Sequence, residues 1–449
     1  MSSGDLAAPR PGVPDAAPPE ALGDEGPAEE VVLPTEREAL RFWLKLGMIS
    51  FGGPAGQIAI MHDELVERRR WISERRYLHA LNFCMALPGP EAQQLASYVG
   101  YSMHGVRGSL AAGGLFVLPS FLLLCALSTV YAVYGEVAVV DGAVRGLGAA
   151  VIALILAAVV RIGGRVIKTP AALVLAVGSF AAFVAGMPFP ALIALAALAG
   201  WVAARRWPDL LGRPSGHGAA GPEEPDALGI AAAPMRRAGL TRLGGTLVVW
   251  LVPVAALLLV GGLVADLGGL FTVAALVTFG GAYAVLPFIT DQAVSGFGWL
   301  TAEDMVAGLA LGESTPGPLI MVNTFVGFIA GYNLEGGILW GLAGASIATF
   351  CTFAPSFVMI INGAPLIDRI RTTGALAGAL AGITISVVGA IAALGLFVAE
   401  HALVVDERVD WLVLALTVAA FLAFWRYKVS VVIVVLACAA AGVVAATPW

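Results

Sequence analysis

Two Pro-Gly-Pro tripeptides lie inside apolar stretches of the sequence, at positions 88–90 and 316–318. Proline has no amide donor and clashes with the preceding helical turn, so each tripeptide predicts a break in a helix. A helix that restarts after Pro90 or Pro318 directs free backbone amides and its positive dipole end into the break. Such an arrangement binds anions, and the two breaks are therefore the first candidate sites.

Glycines and polar side chains surround these breaks. A second glycine-rich motif, Phe-Gly-Gly at 51–53 and 279–281, lets the backbone approach closely and forms another surface lined by amides. The predicted substrate-binding residues are Gly52, Gly53, Gly89, Pro90, Gln93, Gln94, Gly280, Gly281, Ser314, Thr315, Gly317 and Asn323.

Three charged residues fall at predicted membrane depth, where an ionisable side chain is costly and is by default a functional candidate. Glu91 and Glu313 are proton-coupling candidates, since a buried carboxyl group stays protonatable near neutral pH. Glu91 has an alternative role as a first-turn carboxylate stabilised by the helix dipole. Arg145 follows Asp141 by one helical turn, so an internal ion pair competes with a role as a pathway cation.

The elements that must position these residues are membrane helices. Of 449 residues, 59% are hydrophobic and 12% are charged, and the mean hydropathy is +0.88. Apolar runs near 20 residues recur along the chain, and each can cross a hydrocarbon core of about 30 Å. The composition predicts an all-α, polytopic integral membrane protein surrounded by a lipid bilayer.

The chain is internally duplicated at one offset of 228 residues. This offset relates Phe51-Gly52-Gly53 to Phe279-Gly280-Gly281, Trp71-Ile72-Ser73 to Trp299-Leu300-Thr301, and Pro88-Gly89-Pro90 to Pro316-Gly317-Pro318. Each half then contains two broken hairpins, either re-entrant or fully spanning, and four spans. With one connecting span, the number of crossings between equivalent points is odd, which makes the repeats inverted. The charges agree, because segment 62–76 holds five arginines and segment 290–304 has no Lys or Arg.

These patterns predict five regions. Residues 1–34 form a disordered cytoplasmic tail, 35–204 the first repeat, 205–244 a cytoplasmic linker, 245–264 a connecting transmembrane helix and 265–449 the second repeat. The tail and the linker are rich in Pro, Gly and charge and cannot bury a core. No metal or cofactor is predicted, because the histidines share no metal-ligand spacing and the four cysteines are scattered singly.

The sequence resembles the chromate ion transporter (CHR) family in its long-chain, two-domain form. The similar motifs are Phe51-Gly52-Gly53-Pro54, Leu87-Pro88-Gly89-Pro90-Glu91-Ala92-Gln93-Gln94, Phe279-Gly280-Gly281 and Thr315-Pro316-Gly317-Pro318. The resemblance covers about residues 40–400. It implies an inner-membrane protein that exports chromate, confers chromate resistance and is driven by the proton-motive force. It also implies that sulfate, an isosteric dianion, competes.

Other functions remain open at this point. Sulfate or another oxyanion is the alternative substrate, since amide sites discriminate poorly between similar tetrahedral oxyanions. No lysine lies in a Gly-Lys-[Ser/Thr] sequence, which excludes ATP-driven transport by this chain alone. An intramembrane enzyme acting on lipid-linked substrates would need a paired nucleophile and base or clustered metal ligands, so no enzymatic activity is expected. No nucleic-acid partner is predicted, and a homodimer is left open.

Overall fold

A computed structural model describes residues 34–51, 53–135, 137–207, 210–211, 237–369, 374–405 and 408–446. The predicted tail apart from Pro34, most of the predicted linker and Gly52 lie outside these residues.

The described residues form helices joined by short loops. In the first half these are α1 (Glu36–Ile49), α2 (Gly53–His62), α3 (Glu74–Ala86), α4 (Glu91–Tyr134), α5 (Ala138–Val166), α6 (Pro170–Val184) and α7 (Phe189–Arg206). Helix α8 (Arg237–Val260) connects the halves. The second half has α9 (Gly262–Val277), α10 (Leu286–Thr290), α11 (Ala302–Ser314), α12 (Val322–Gly331), α13 (Ile338–Gly363), α14 (Gly374–Leu403), α15 (Trp411–Trp425) and α16 (Val431–Ala446).

Shorter elements link these helices. Two-residue strands β1 (Val404–Val405) and β2 (Arg408–Val409) pair antiparallel. The π-helical turns are Asp63–Arg68, Asp291–Gly296 and Tyr332–Gly336, and the 3₁₀ turns are Ala282–Ala284, Leu319–Met321 and Ala364–Arg369.

Within the described ranges, six helices are long and apolar enough to cross a membrane. They are Glu91–Tyr134, Ala138–Val166, Phe189–Arg206, Gly239–Val260, Ile338–Leu366 and Gly374–Leu403. The predicted all-α, multi-pass membrane fold is confirmed. The connecting helix differs from its predicted range, because α8 begins at Arg237 and ends at Val260, where Gly261 and Gly262 adopt positive φ angles of 79° and 59°.

The elements repeat at the offset that the motifs have. The π-helical turns Asp63–Arg68 and Asp291–Gly296 are 228 residues apart, and so are α3 and α11. Ser73 and Thr301 cap these two helices, each accepting a hydrogen bond from a first-turn amide. The two halves are therefore built from the same elements in the same order.

Helix α4 consists of two arms that fold back on each other. Its helical geometry is interrupted at His104 and at Gly105, which has a φ of 61°. A Cβ atom at Gly100 would lie 2.3 Å from the carbonyl oxygen of Gly108, so the short arm (residues 91–103) packs closely against the long arm (residues 106–134). Helices α12 and α13 repeat this contact through Gly327 and Gly344.

The chain also folds back at the breaks in the helices. The rings of Phe83 in α3 and Tyr98 in the short arm of α4 lie 6.4 Å apart, across the first Pro-Gly-Pro. Near the start of α1, Glu38 forms an ion pair of 3.7 Å with Arg69, across the first Phe-Gly-Gly. With 10 to 14 residues each, α1, α2 and α3 are about 15–21 Å long, too short to cross the hydrocarbon core alone. These hairpins are therefore re-entrant in form.

The two halves interlock through their long helices. Helix α5 of the first half packs against α15 and α16 of the second, and α14 of the second packs against α6 and α7 of the first. Glycines allow the close approach: a Cβ atom at Gly146 would lie 2.0 Å from the Cys438 carbonyl oxygen, and one at Gly382 would lie 2.2 Å from that of Ala196. This framework holds the broken hairpins of both halves together.

Candidate functional site

The four helix breaks meet in two pairs, and each pair combines one break from each half. The amide of Gly89 donates a hydrogen bond of 2.8 Å to the carbonyl oxygen of Thr278, which directly precedes the second Phe-Gly-Gly. The amide of Gly317 donates a bond of the same length to the carbonyl oxygen of Ser50, which precedes the first Phe-Gly-Gly. Both donors and both acceptors are related by the 228-residue repeat, so the halves exchange equivalent contacts.

Each Pro-Gly-Pro break also packs against a serine on a long helix of the other half. A Cβ atom at Gly89 would lie 2.4 Å from the Ser356 hydroxyl, and one at Gly317 would lie 2.7 Å from the Cβ of Ser120. The φ angles of the two glycines are 121° and 110°, so both their conformation and their surroundings require glycine. Ser120 is halfway along the long arm of α4, which places the breaks near mid-depth of a spanning helix.

Helices restart directly after both Pro-Gly-Pro breaks. Pro90 is the extended N-cap of α4, and Pro318 is the extended N-cap of the 3₁₀ turn Leu319–Met321. Neither proline offers a side-chain cap, so the first amides of both helices remain available for another acceptor. Positive dipole ends from both halves therefore lie at these breaks.

Gln93 and Gln94 are fully buried next to the first break. The Nε2 atom of Gln94 donates to the Pro88 carbonyl oxygen at 2.7 Å, and that of Gln93 donates to the Ser97 hydroxyl at 2.9 Å. The Oε1 atoms of both glutamines are buried and have no hydrogen-bond partner among the described residues. Each amide group therefore retains hydrogen-bonding capacity within the protein interior.

Residues on the other side of the site are already engaged in local hydrogen bonds. The hydroxyls of Ser314 and Thr315 donate to carbonyl oxygens three residues earlier in α11, at 2.9 and 3.0 Å. Asn323 donates to the Thr352 hydroxyl of α13 at 2.9 Å, and its Oδ1 is buried without a partner in the described chain. Asn323 therefore links the restarted helix to a spanning helix.

The Phe-Gly-Gly motif contributes its backbone conformation. Gly53, Gly280 and Gly281 have φ angles of 70°, 79° and 99°, all in the region that favours glycine. A Cβ atom at Gly280 would lie 3.7 Å from the side chain of Thr384 on α14. The predicted role of Gly52 lies outside the described residues.

Gln57 is a site residue that the sequence motifs do not single out. Its Nε2 donates both to the Gly317 carbonyl oxygen and to the Ser50 carbonyl oxygen, the latter at 3.4 Å. The side chain is fully buried, and its Oε1 has no partner within the described ranges. A glutamine one turn after Gly53 in an apolar helix is the signal that could have identified it.

The two candidate proton carriers occupy different surroundings. Glu313 accepts a hydrogen bond of 2.5 Å from the hydroxyl of Tyr283, which follows the second Phe-Gly-Gly. The guanidinium of Arg161 interacts electrostatically with both of these groups. Glu91 is buried at the start of α4, beside Cys84 of α3. Tyr283, like Gln57, was missed because its partner lies 30 residues away.

Arg145 is paired with a residue of the other half. Its guanidinium donates to the carboxylate of Asp410, which caps the N-terminus of α15. The expected ion pair with Asp141 is wrong: Asp141 acts on Arg145 only at longer range, and the salt bridge goes to Asp410. The contact joins α5 to α15 and thus helps to hold the two halves together.

One group of potential metal ligands lies outside the breaks. Ligand atoms of His62, Asp63 and Glu67 lie within 4.8 Å of one another, and both acidic side chains are exposed. The Nε2 of His62 is hydrogen-bonded to Glu74. Exposed carboxylates of this kind commonly occur without a metal ion.

A duplicated membrane fold with broken helices that meet at mid-depth is the architecture of secondary transporters. The chain belongs to the chromate transporter family, whose model matches residues 37–201 and 265–443.

Several curated relatives align with most of the chain. A chromate transport protein of Pseudomonas aeruginosa is 33% identical over 413 residues, covering 89% of this chain and 90% of the relative. One from Cupriavidus metallidurans is 27% identical, with 92% and 93% covered. A probable chromate transport protein of Synechococcus elongatus is 28% identical, with 79% and 82% covered. No solved structure matches the chain.

Proposed function

We propose that this protein is a secondary active transporter that exports chromate across the inner, cytoplasmic membrane and thereby confers chromate resistance. The observation that carries the proposal is the exchanged contact between the halves, in which Gly89 meets Thr278 and Gly317 meets Ser50. Relatives of nearly equal length are named chromate transport proteins, which supports the substrate. An enzymatic role is not proposed, because the buried polar groups form no nucleophile and base pair among the described residues.

The substrate dianion binds between the breaks of the two halves. The first amides after Pro90 and Pro318 hold its oxygens, and the dipole ends of both helices favour its negative charge. Buried amide side chains, among them Gln93 and Gln94, turn their Nε2 donors toward the dianion when the two halves separate. Sulfate has the same tetrahedral shape and charge, so it competes for this site.

Transport follows from an inverted relation between the halves. The five arginines of segment 62–76, against none in segment 290–304, place equivalent loops on opposite sides of the membrane. The re-entrant hairpins then rock about the shared breaks and expose the site to one side at a time.

Proton movement through Glu91 or Glu313 supplies the driving force. A carboxyl at membrane depth is costly and is retained where it has a role. Glu313 has a specific hydrogen-bond donor in Tyr283, whereas Glu91 lies at the amide end of α4, next to the bound dianion. Each position thus couples protonation to one half of the site.

Everted membrane vesicles containing the protein test this proposal. With an acid interior, we expect chromate to accumulate, and both an uncoupler and excess sulfate to reduce the accumulation. Loss of the uncoupler-sensitive part in Glu91→Gln or Glu313→Gln identifies the coupling carboxylate. Accumulation of sulfate without chromate would replace the substrate and leave the mechanism intact. If no oxyanion moves in vesicles that contain the folded protein, the transporter proposal is wrong.

A further inference from the structure

An apolar groove lies between the long arm of α4, α8 and α13, apart from the candidate site. Its volume is 580 Å³. Most of its lining side chains are aliphatic or aromatic, including Leu110, Phe121, Val249, Phe350 and Phe353. The exchanged contacts at the breaks do not use this groove, and the predicted function leaves it unassigned.

The groove has the length and the surroundings of a lipid chain. Its lining residues extend from position 106 to 121 of α4 and from 346 to 361 of α13. At about 1.5 Å per residue these stretches are about 22 Å long, more than the roughly 15 Å of hydrocarbon in one leaflet. Helix α8 borders the groove and exposes its outer side chains, with Val249 68% and Val252 58% exposed, so the groove opens toward the bilayer.

A polar cluster closes one end of the groove. Arg242 donates a hydrogen bond of 2.8 Å to the Tyr101 hydroxyl, and Asn362 donates one of 2.9 Å to the Thr246 hydroxyl. The Nε of Arg242 and the Oδ1 of Asn362 are buried and lack hydrogen-bond partners in the described part of the chain. Arg107, exposed and adjacent to the groove residue Val106, adds a second positive charge at this end.

We propose that this groove binds one acyl chain of an anionic phospholipid whose phosphate lies at Arg242. The guanidinium forms charge-assisted hydrogen bonds with phosphate oxygens, and its unpartnered Nε gains an acceptor. A head group with hydroxyls, as in phosphatidylglycerol, supplies the donor that the Oδ1 of Asn362 lacks. Basic pockets between membrane helices bind anionic head groups in this way.

The groove shares a wall with the candidate site. Gly113 lines the groove, and a Cβ atom there would lie 2.6 Å from the Nε2 of Gln93. Phe357 lines it as well and directly follows Ser356, which packs on Gly89. A lipid chain in the groove therefore supports the helices that hold the first Pro-Gly-Pro break, and its removal loosens that break.

Leucine at Gly114 provides a test. Gly114 lines the groove, and a Cβ atom there meets nothing within 4 Å, so Gly114→Leu fills the groove without displacing protein atoms. The matched control is Gly178→Leu on α6, which also meets nothing within 4 Å and lies away from the groove. A third variant, Arg242→Gln, removes the positive charge at the head-group end.

Native mass spectrometry of the full-length protein in mild detergent measures binding of added palmitoyl-oleoyl phosphatidylglycerol and of the matching phosphatidylcholine. We expect wild type and Gly178→Leu to retain one phosphatidylglycerol, Gly114→Leu to lose it, and Arg242→Gln to bind both lipids equally. Undiminished lipid retention in Gly114→Leu would overturn the proposal. So would a lipid-free wild-type dimer that becomes monomeric in Gly114→Leu, since a second copy would then cover the groove. Equal binding of the two lipids by wild type would refute the anionic head group.

Discussion

Alanine at Gly89 should abolish transport, although the added group is a single methyl. The new Cβ would lie 2.4 Å from the Ser356 hydroxyl and 2.6 Å from the Nε2 of Gln94. Gly89 also has a φ of 121°, which side chains rarely tolerate. The substitution therefore acts on the pairing of the breaks in two ways, through steric overlap and through backbone strain.

The expected magnitude follows from these two effects. A non-glycine residue in a sparsely populated backbone region costs about 1–3 kcal/mol. An extra methyl in a well-packed interior costs a further ~1–3 kcal/mol. Together they destabilise the paired arrangement by about 2–6 kcal/mol, and each 1.4 kcal/mol is about a factor of ten in population. The paired state therefore loses roughly 30-fold to 10⁴-fold in population.

Chromate accumulation in everted vesicles, normalised to the amount of folded protein, measures the effect. Gly186→Ala is the matched control, because Gly186 has a positive φ of 87° but nothing within 4 Å of its Cβ. We expect the control to transport normally and Gly89→Ala to fall below a tenth of wild type. Adding Ser356→Gly should restore part of the activity by removing the nearest atom. Normal transport by Gly89→Ala would refute the assignment of this break to the site.

Three further changes test other contacts. Gln57→Leu keeps the volume but removes both donated bonds across the break, at about 1 kcal/mol each, so chromate accumulation in vesicles should fall at least about tenfold. Asp410→Asn keeps an N-cap and removes the ion pair with the half-exposed Arg145, so thermal unfolding should show a loss of about 1 kcal/mol or less; Asp410→Ala should lose about 1 kcal/mol more with the cap. Cysteines at the exposed, equivalent Asp63 and Asp291 should react with an impermeant thiol reagent from opposite sides of the membrane, because the halves are inverted.

Each of these has a clear contrary result. Full activity of Gln57→Leu would show that its hydrogen bonds do not bear on transport. Equal melting temperatures of Asp410→Asn and Asp410→Ala would remove the capping role. Labelling of both cysteines from the same side would disprove inversion and require parallel repeats.

Local backbone chemistry made much of the fold predictable from sequence. Pro-Gly-Pro and Phe-Gly-Gly interrupt helices because of their own residues, so the breaks could be located without tertiary information. The duplication could be read from motif spacing, and the structure shows the same offset in the π-helical turns and in α3 and α11. The start of α8 could not, because charged residues such as Arg237 and Arg242 suggest a linker although they begin a helix.

The partners across the site could not be predicted, because they depend on how the halves pack. Gly89 meets Thr278, which is 189 residues away, and Gln57 reaches a carbonyl 260 residues away. The prediction for Arg145 failed for the same reason: helical spacing suggests Asp141, whereas the packing of α5 on α15 brings Asp410. Motifs identify backbone geometry, and tertiary packing selects the partners.

The pairs of breaks are equivalent in backbone but not in side chains, and this asymmetry bears on direction. Gln57 supports only the contact at Gly317, since its equivalent in the other half is Val285. Glu313 in turn has Met85 as its equivalent, so the second half alone carries a carboxylate at that position. Identical contacts would give the inward-open and outward-open states equal free energies, and protonation could not favour either one. Different side chains on a duplicated backbone allow one half to respond to a proton that the other half does not bind.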